Sequence, residues 1–412
     1  MKIVLVNHYA VPPTYYPLAR PSLFAKNLIR MGQDVTIVAA SSIHNSNCEN
    51  LIHGKESVLK INNDGIPYVL IKCSSYKGNG FRRVINILEF ARKLPKVLAT
   101  FKNVDAIIAT SFDPISCYSG IKFAKKNGIK AIAEIADLWP ETLIDYSGIS
   151  PRHPLVKYLR RIEKKIYTLS DAVVFTMEGG YDYIVKQKWD KLIPKDKCFY
   201  INNGIDLEQF KYNYDNYQIH DEDLLNKSLF KIVYTGSIRK VNNLGLLLDT
   251  AKLVHSSKII FLVWGDGDEL SFLKERLVKE KIKNVIFKGR VDKKYVPFIT
   301  CNADLNIAHN AQSNMFYYGI SFNKIFDYLA AGKPILCDFD SKYNPVIQFG
   351  AGIETKSSNP YDIARAIQEI VNLDQNKYEE LSKNALKAAN DFDFKFLTQK
   401  LIEVIEGIRG TK

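Results

Sequence analysis

Three groups of residues in this chain have the types and spacing for chemistry. The richest is the run Tyr317-Tyr318-Gly319-Ile320-Ser321-Phe322-Asn323-Lys324-Ile325-Phe326-Asp327, which continues through Gly332-Lys333-Pro334 into Ile335-Leu336. It reads as a loop, a short helix and a strand. Gly319 gives the loop backbone angles that other residues avoid and lets a ligand approach closely. Ser321 or Asn323 is placed to cap the helix. Gly332 followed by Pro334 is a helix stop. A helix N-terminus offers free N–H groups and a positive dipole end, and Lys324 adds a cation beside it, so an anion is the expected ligand. Asp327, about one turn further in, is suited to accept hydrogen bonds from a pair of sugar hydroxyls. On its own the run also fits an ordinary αβ unit.

The second group is Glu134-Ile-Ala-Asp137-Leu-Trp139-Pro140-Glu141, an acidic and aromatic cluster directly after an apolar run. Residues leaving the end of a strand are well placed for binding or catalysis. Asp137 as a simple helix cap is the competing reading. The third group is His8 and Arg20, which bound a Pro- and Tyr-rich loop after the first apolar run. Both are candidates for an acceptor-side site together with Glu141, and a satisfied surface histidine is the alternative for His8.

The elements that must position these groups alternate between strand and helix. Lys2–Val6 and Asp34–Ala40 are apolar strands with a helical stretch, Pro21–Met31, between them, a βαβ opening expected of a doubly wound sheet. Tyr68–Lys72, Ala106–Ala109, Ile129–Glu134 and Ala172–Phe175 extend the series, while residues 41–66 read as polar and Asn-rich. A second series runs through 231–235, 259–263, 284–288 and 303–307, each strand leading into a loop, several of them Gly-bearing, such as Gly236, Gly265 and Gly289. Backbone N–H groups are therefore expected to converge at one sheet edge, where open α/β sheets bind ligands. No Gly-x-Gly-x-x-Gly follows the first strand, which argues against a dinucleotide. Residues 355–412 read as terminal helices.

A chain of 412 residues suggests two domains of roughly 200 residues each. The apolar start is too short for a signal peptide and no run approaches the ~18 apolar residues of a membrane span. The six cysteines are scattered, with no Cys-x-x-Cys, so neither a zinc site nor a disulfide framework is expected, and a reducing cytoplasm is. The net charge of +13 is unevenly shared: residues 1–200 carry 29 Lys+Arg against 17 Asp+Glu, a balance of +12. That asymmetry predicts an anionic partner for the first half. Between Tyr76 and Lys96, Val84, Ile87, Leu88 and Ala91 form an apolar face with Arg82, Arg83, Arg92, Lys93 and Lys96 nearby. Such a helix either docks on an anionic membrane or packs on the core with a solvated basic side. Nucleic acid is the least favoured partner, since no recognised module is present.

The wording of these stretches resembles family 4 glycosyltransferases, in the branch that builds bacterial surface polysaccharides such as O-antigen and capsule. Ser321-Phe-Asn-Lys-Ile-Phe-Asp-Tyr-Leu-Ala-Ala-Gly-Lys-Pro-Ile335 is similar to that branch's donor motif. In the wider family the motif is Glu-x7-Glu. Here the second acid is Asp327, the first position is Gly319, and Phe322 stands where the branch usually has Pro. Asp137-Leu-Trp-Pro140 resembles an acceptor-side turn, with Ala136 in place of the branch's Arg. Tyr76–Gly80 and Gly148–Pro154 also resemble the branch. Asn202-Asn-Gly-Ile-Asp206 with Phe210 resembles the inter-domain crossover.

The resemblance implies a GT-B fold, α/β, with two doubly wound Rossmann-like domains facing each other across a cleft. The expected domains are 1–205, acceptor-side and membrane-facing, and 206–390, nucleotide-sugar-binding, with 391–412 crossing back to the first. The implied activity is metal-independent transfer, with retention, from a UDP-sugar to a lipid-linked saccharide at the inner face of the cell membrane. The sugar is expected to be N-acetylated or a deoxyamino sugar. Catalytic roles fall to Asp137, Arg239 and Lys324. The donor site takes Gly236, Ser237, Lys240 and Gly265, then Arg290 and Val291 for the base, and Gly319, Ile320, Ser321, Asn323 and Asp327. The family's Arg after Gly236 is Ser237 here and its Lys before the helix is Asn242, so Arg239, Lys240 and Lys324 are the candidates to supply the charge. No Asp-x-Asp is placed to hold a divalent ion, and no cofactor is expected. A UDP-sugar epimerase of the same fold, or a non-catalytic membrane-docked assembly partner, are the other readings.

Overall fold

The structure, a computed structural model, describes residues 1–16, 19–44, 46–47 and 49–410. Cys48 lies outside the described residues. The chain divides into two compact units, residues 1–202 with the stretch from Leu397 onward, and Asn203–Phe396. The sequence places these divisions at 205 and 391.

The first unit is built on β1 (Lys2–Val6), β2 (Asp34–Ala40), β3 (Val58–Asn63), β4 (Ile66–Ile71), β5 (Ala106–Thr110), β6 (Lys130–Ile135), β7 (Ala172–Phe175) and β8 (Cys198–Tyr200). Their order in the sheet is β3-β4-β2-β1-β5-β6-β7-β8, and only β3 runs antiparallel to its neighbour. β1, β5 and β6 are near-continuous apolar runs, as strands covered on both faces must be. Residues 41–66, which read only as polar and Asn-rich, contain the strand β3. The missed signal was Asp64-Gly65, which takes φ of 52° and 80° and makes the tight turn of a β3–β4 hairpin.

Helix Phe81–Leu98 bears on the two readings of the basic segment. Its buried residues are Asn86, Phe90, Leu94, Val97 and Leu98. Val84 and Leu88, expected on one face with Ile87 and Ala91, are exposed. With Phe81 and Ile85 they form an outward stripe at the spacing i, i+3, i+4, i+7, one side of a helix.

The second unit carries β9 (Phe230–Thr235), β10 (Ile259–Trp264), β11 (Val285–Gly289), β12 (Leu305–Ala308), β13 (Ile335–Cys337) and β14 (Gly352–Glu354). Its sheet runs β11-β10-β9-β12-β13-β14 with every pair parallel. The strand order reverses between β9 and β12, and an open sheet binds ligands outside the carboxyl ends of its strands at such a point. β10 is buried along its whole length. Helix Asn323–Ala331 packs Ile325, Phe326, Leu329 and Ala330 into an apolar cluster with Phe316, Phe339 and Phe392. It ends at Gly332, which takes the left-handed φ of 63°.

Candidate functional site

In the second unit, the carboxyl ends of β9 and β10 are packed backbone to backbone. A Cβ on Gly265 would stand 1.8 Å from the Gly236 carbonyl oxygen, and one on Gly267 2.1 Å from that of Ile238. Only glycine fits there. The N–H groups of Gly236, Ile238 and Gly265 donate to Trp264, Asp266 and Gly289 carbonyls at 3.0, 2.9 and 2.9 Å. Three of the N–H groups expected to converge at this edge are thus spent holding it together.

The donors on offer come from helix Asn323–Ala331. Neither Ser321 nor Asn323 caps it: the cap position is Phe322, and no side chain bonds to the first turn. Ser321 is part-buried with an Oγ that has no partner among the described residues, while its carbonyl accepts from Asn203 Nδ2 at 2.9 Å. Gly319 sits at φ 111°, a conformation that an L side chain rarely adopts. The position of the family's first acid is thus taken by bare backbone, and Ile320 beside it is buried.

Lys324, the second residue of that helix, turns its ammonium toward β9. Nζ lies 3.1 Å from the Tyr234 hydroxyl, 3.3 Å from the His309 carbonyl and 4.3 Å over the Tyr234 ring. It is 3.4 Å from where a Cβ on Gly236 would be. No carboxylate among the described residues is at ion-pair distance from it. Burial pushes its pKa down to about 8, partly offset by Asp338. Ser237 and Asn242, which replace the family's Arg and Lys, hydrogen-bond each other at 2.8 Å. Arg239 and Lys240 are exposed on the same loop, with no ion pair among the described residues. Asp327 is buried and pairs with the exposed Lys293 at 3.2 Å. Arg290 is exposed, and Val291 packs against the cluster that holds Trp264.

In the first unit the predicted acceptor-side residues part company. Asp137, beyond β6, has neither a hydrogen bond nor an ion pair among the described residues, and burial pushes its pKa up to about 6 against the pull of Arg83. Glu141 is held by Arg160 at 2.5 Å and Gln187 at 3.2 Å. Arg20 is buried, donating to Glu134 at 2.9 Å and to the Ile201 and Asn202 carbonyls at 2.9 and 2.6 Å. It anchors the end of β8. His8 is also buried, correcting the surface alternative. Its Nε2 donates to Asn86 Oδ1 at 2.6 Å, Nδ1 is 3.5 Å from Asp113 Oδ2, and burial pushes its pKa down to about 3.

Sequence reasoning missed Asp113, and Tyr9 as the partner of Arg83. Asp113 caps helix Pro114–Lys126 through Ser116 N, and burial lifts its pKa to about 6. Arg83 donates to the Tyr9 hydroxyl at 3.0 and 2.8 Å and lies over that ring. The Asp-Pro pair at a strand end was the available signal for the first; nothing local signalled the second.

Residues 23–209 match the model described as Glycosyltransferase Family 4, and residues 215–388 the one described as Glycosyl transferases group 1. The chain belongs to the family 4 glycosyltransferases. A curated relative, a probable glycosyltransferase WbjE of Pseudomonas aeruginosa, is 22% identical over 264 residues. That match spans 63% of this chain and 64% of the relative's length. Among solved structures, HepE of Anabaena in complex with UDP-glucose has 14% identity and a TM-score of 0.65 over 99% of this chain and 100% of its own. An E. coli trehalose-6-phosphate structure bound with UDP-2-fluoro glucose has 13% identity and a TM-score of 0.72 over 98% of this chain and 99% of its own. These likenesses establish the fold for this family 4 chain: α/β, with two parallel-sheet domains of the GT-B kind.

Proposed function

We propose that the protein transfers a sugar from a UDP-sugar to a lipid-linked saccharide, with retention and without a metal ion, in the synthesis of a bacterial surface polysaccharide. The observation that carries the donor half is Lys324, an ammonium with no carboxylate partner among the described residues, beside the uncapped start of helix Asn323–Ala331. A leaving diphosphate needs its growing charge stabilised, and such preorganised donors contribute about 3 kcal/mol each. Arg239 and Lys240 add exposed charge, and Asp327 is one turn on, for the ribose. The UDP-sugars bound by HepE and the E. coli enzyme support the choice of nucleotide.

Retention fits attack on the face the diphosphate leaves, with a phosphate oxygen taking the acceptor proton. That scheme requires no carboxylate at position 319. Asp137, unpaired at the end of β6, is assigned to the acceptor hydroxyls. An N-acetylated or deoxyamino sugar is the proposed cargo, following the branch the motifs resemble.

The membrane half rests on helix Phe81–Leu98. Phe81 is 77% exposed, and Val84, Ile85 and Leu88 continue its stripe. With Arg82 and Arg92 exposed beside it, this is the pattern of a helix lying in an anionic lipid surface. The proposed location is accordingly the inner face of the cell membrane. No helix among the described residues is long and apolar enough to cross one.

The test is calorimetric titration with UDP, GDP, ADP and dTDP, with and without EDTA. It is followed by transfer from labelled UDP-sugars to a lipid-linked acceptor, reading the anomeric configuration of the product by NMR. UDP-selective binding unaffected by EDTA supports the reading. Failure to bind any nucleotide overturns it.

A further inference from the structure

Behind Lys324 lies a second polar pair, fully enclosed. His309, just past β12, and Asp338, just past β13, are both 0% exposed, and His309 Nδ1 meets the Asp338 carboxylate. The other ring nitrogen, Nε2, donates to the Asn243 carbonyl at 2.8 Å. A carbonyl only accepts, so Nε2 carries a proton, and one further proton is shared between Nδ1 and the carboxylate. The ring is held at both nitrogens, and its anchor Asn243 is itself fixed in a left-handed turn at φ 51°.

Asp338 is the acid whose field reaches Lys324. It makes no ion pair with that ammonium, which touches instead the carbonyl oxygen of the same His309. A buried carboxylate without a partner is costly, and the nearest cation is its usual remedy. Here the histidine has taken that place. We propose that His309 is a positioning residue that holds Asp338 off Lys324, so that the ammonium stays uncompensated and available to an incoming diphosphate. The inference rests on the reading of Lys324 as the diphosphate's cation. Without the histidine, Asp338 and Lys324 pair, and a carboxylate occupies the charge that the nucleotide needs.

Two measurements test this on the full chain. In the first, the Cε shift of Lys324 is titrated by NMR, its resonance assigned by its loss in K324R. His309→Gln is expected to raise the titration point of Lys324 above that of the wild type. The double variant H309Q/D338N is expected to return it. Identical titration in all three proteins overturns the proposal. In the second, UDP affinity is measured by calorimetry. H309Q is expected to weaken UDP about tenfold, as the loss of one charge-assisted contact does, and H309Q/D338N to recover it. A merely structural role for His309 predicts no recovery. D338N alone serves if H309Q fails to fold: it leaves UDP affinity intact if Asp338 is only to be kept away, and a loss matching that of K324M overturns the idea. Absence of UDP binding in the wild type instead defeats the donor-site reading, while the NMR titration still decides whether His309 restrains Asp338.

Discussion

The ammonium of Lys324 lies 3.1 Å from the Tyr234 hydroxyl and 4.3 Å over its ring, joining the start of a helix to a strand 90 residues earlier. A phenol, an aromatic face and a carbonyl attract the charge without cancelling it. That is the arrangement the proposed diphosphate site requires.

The pH dependence of nucleotide binding follows from it. Burial lowers the Lys324 pKa to about 8, so the charged form is lost as pH rises through that value. UDP affinity is expected to fall as pH rises through about 8, the break marking the free protein's pKa. Lys324→Met is expected to weaken UDP binding at pH 7 by tenfold or more, roughly the worth of one charge-assisted contact, and to flatten the profile. Calorimetry across this range checks both.

Asp327 and Lys293 make an ion pair that a bound ribose would reorganise. Asp327→Asn is expected to weaken UDP about tenfold, as removal of a charged hydrogen-bond acceptor does. Lys293→Ala, which removes an exposed partner, is expected to leave affinity within about twofold. Unchanged affinity in D327N refutes the ribose role.

Asp137 couples activity and stability in opposite senses. Its folded pKa is raised from 3.8 to about 6, so the native state holds a proton more tightly than the unfolded chain does. Stability at this site is greatest at low pH and declines as pH rises from the unfolded value through about 6. Asp137→Asn is therefore expected to stabilise the protein at pH 7 by about 1–2 kcal/mol while lowering kcat and sparing UDP affinity. Thermal unfolding, turnover and binding, compared in the two proteins, separate these effects.

Arg20 has the opposite signature. Truncation to Ala removes the ion pair to buried Glu134 and the guanidinium's hydrogen bonds to the Ile201 and Asn202 carbonyls. The expected loss is about 3–5 kcal/mol of stability, read by denaturant unfolding. An acceptor-binding role predicts a raised KM in a protein of ordinary stability instead.

The outward stripe of helix Phe81–Leu98 is exposed, and none of its four residues is among the helix's buried ones. Phe81→Glu with Leu88→Glu is expected to change stability by no more than about 0.5 kcal/mol for each substitution. It is also expected to abolish sedimentation with anionic phospholipid vesicles. UDP affinity in solution should not move. Equal vesicle binding by the wild type and the variant sinks the membrane assignment.

Much of the fold is written in local pattern. The apolar runs of β1, β5, β9 and β10, the stop at Gly332 and the acid at Asp327 are each legible within a few residues. Strand and helix periods, turn propensities and motif spacing are properties of neighbouring side chains. β3 was missed because its alternation is half polar, although the Asp64-Gly65 turn beside it was readable.

What the amino-acid order could not settle is who meets whom. Arg20 and Glu141 have the same types and loop setting as cleft residues, yet long-range partners bind them into the framework. Val84 and Leu88 fit a buried face until the register set by Phe90 and Leu94 turns them outward. The N–H groups at the β9 and β10 ends look available until the two loops close on each other. Lys324 gains its character from Tyr234, His309 and Asp338, which come from three other segments. Periodicity is decided over a few residues, so sequence determined the elements. Burial, charge compensation and donor supply depend on packing between distant segments, and tertiary structure alone decided them.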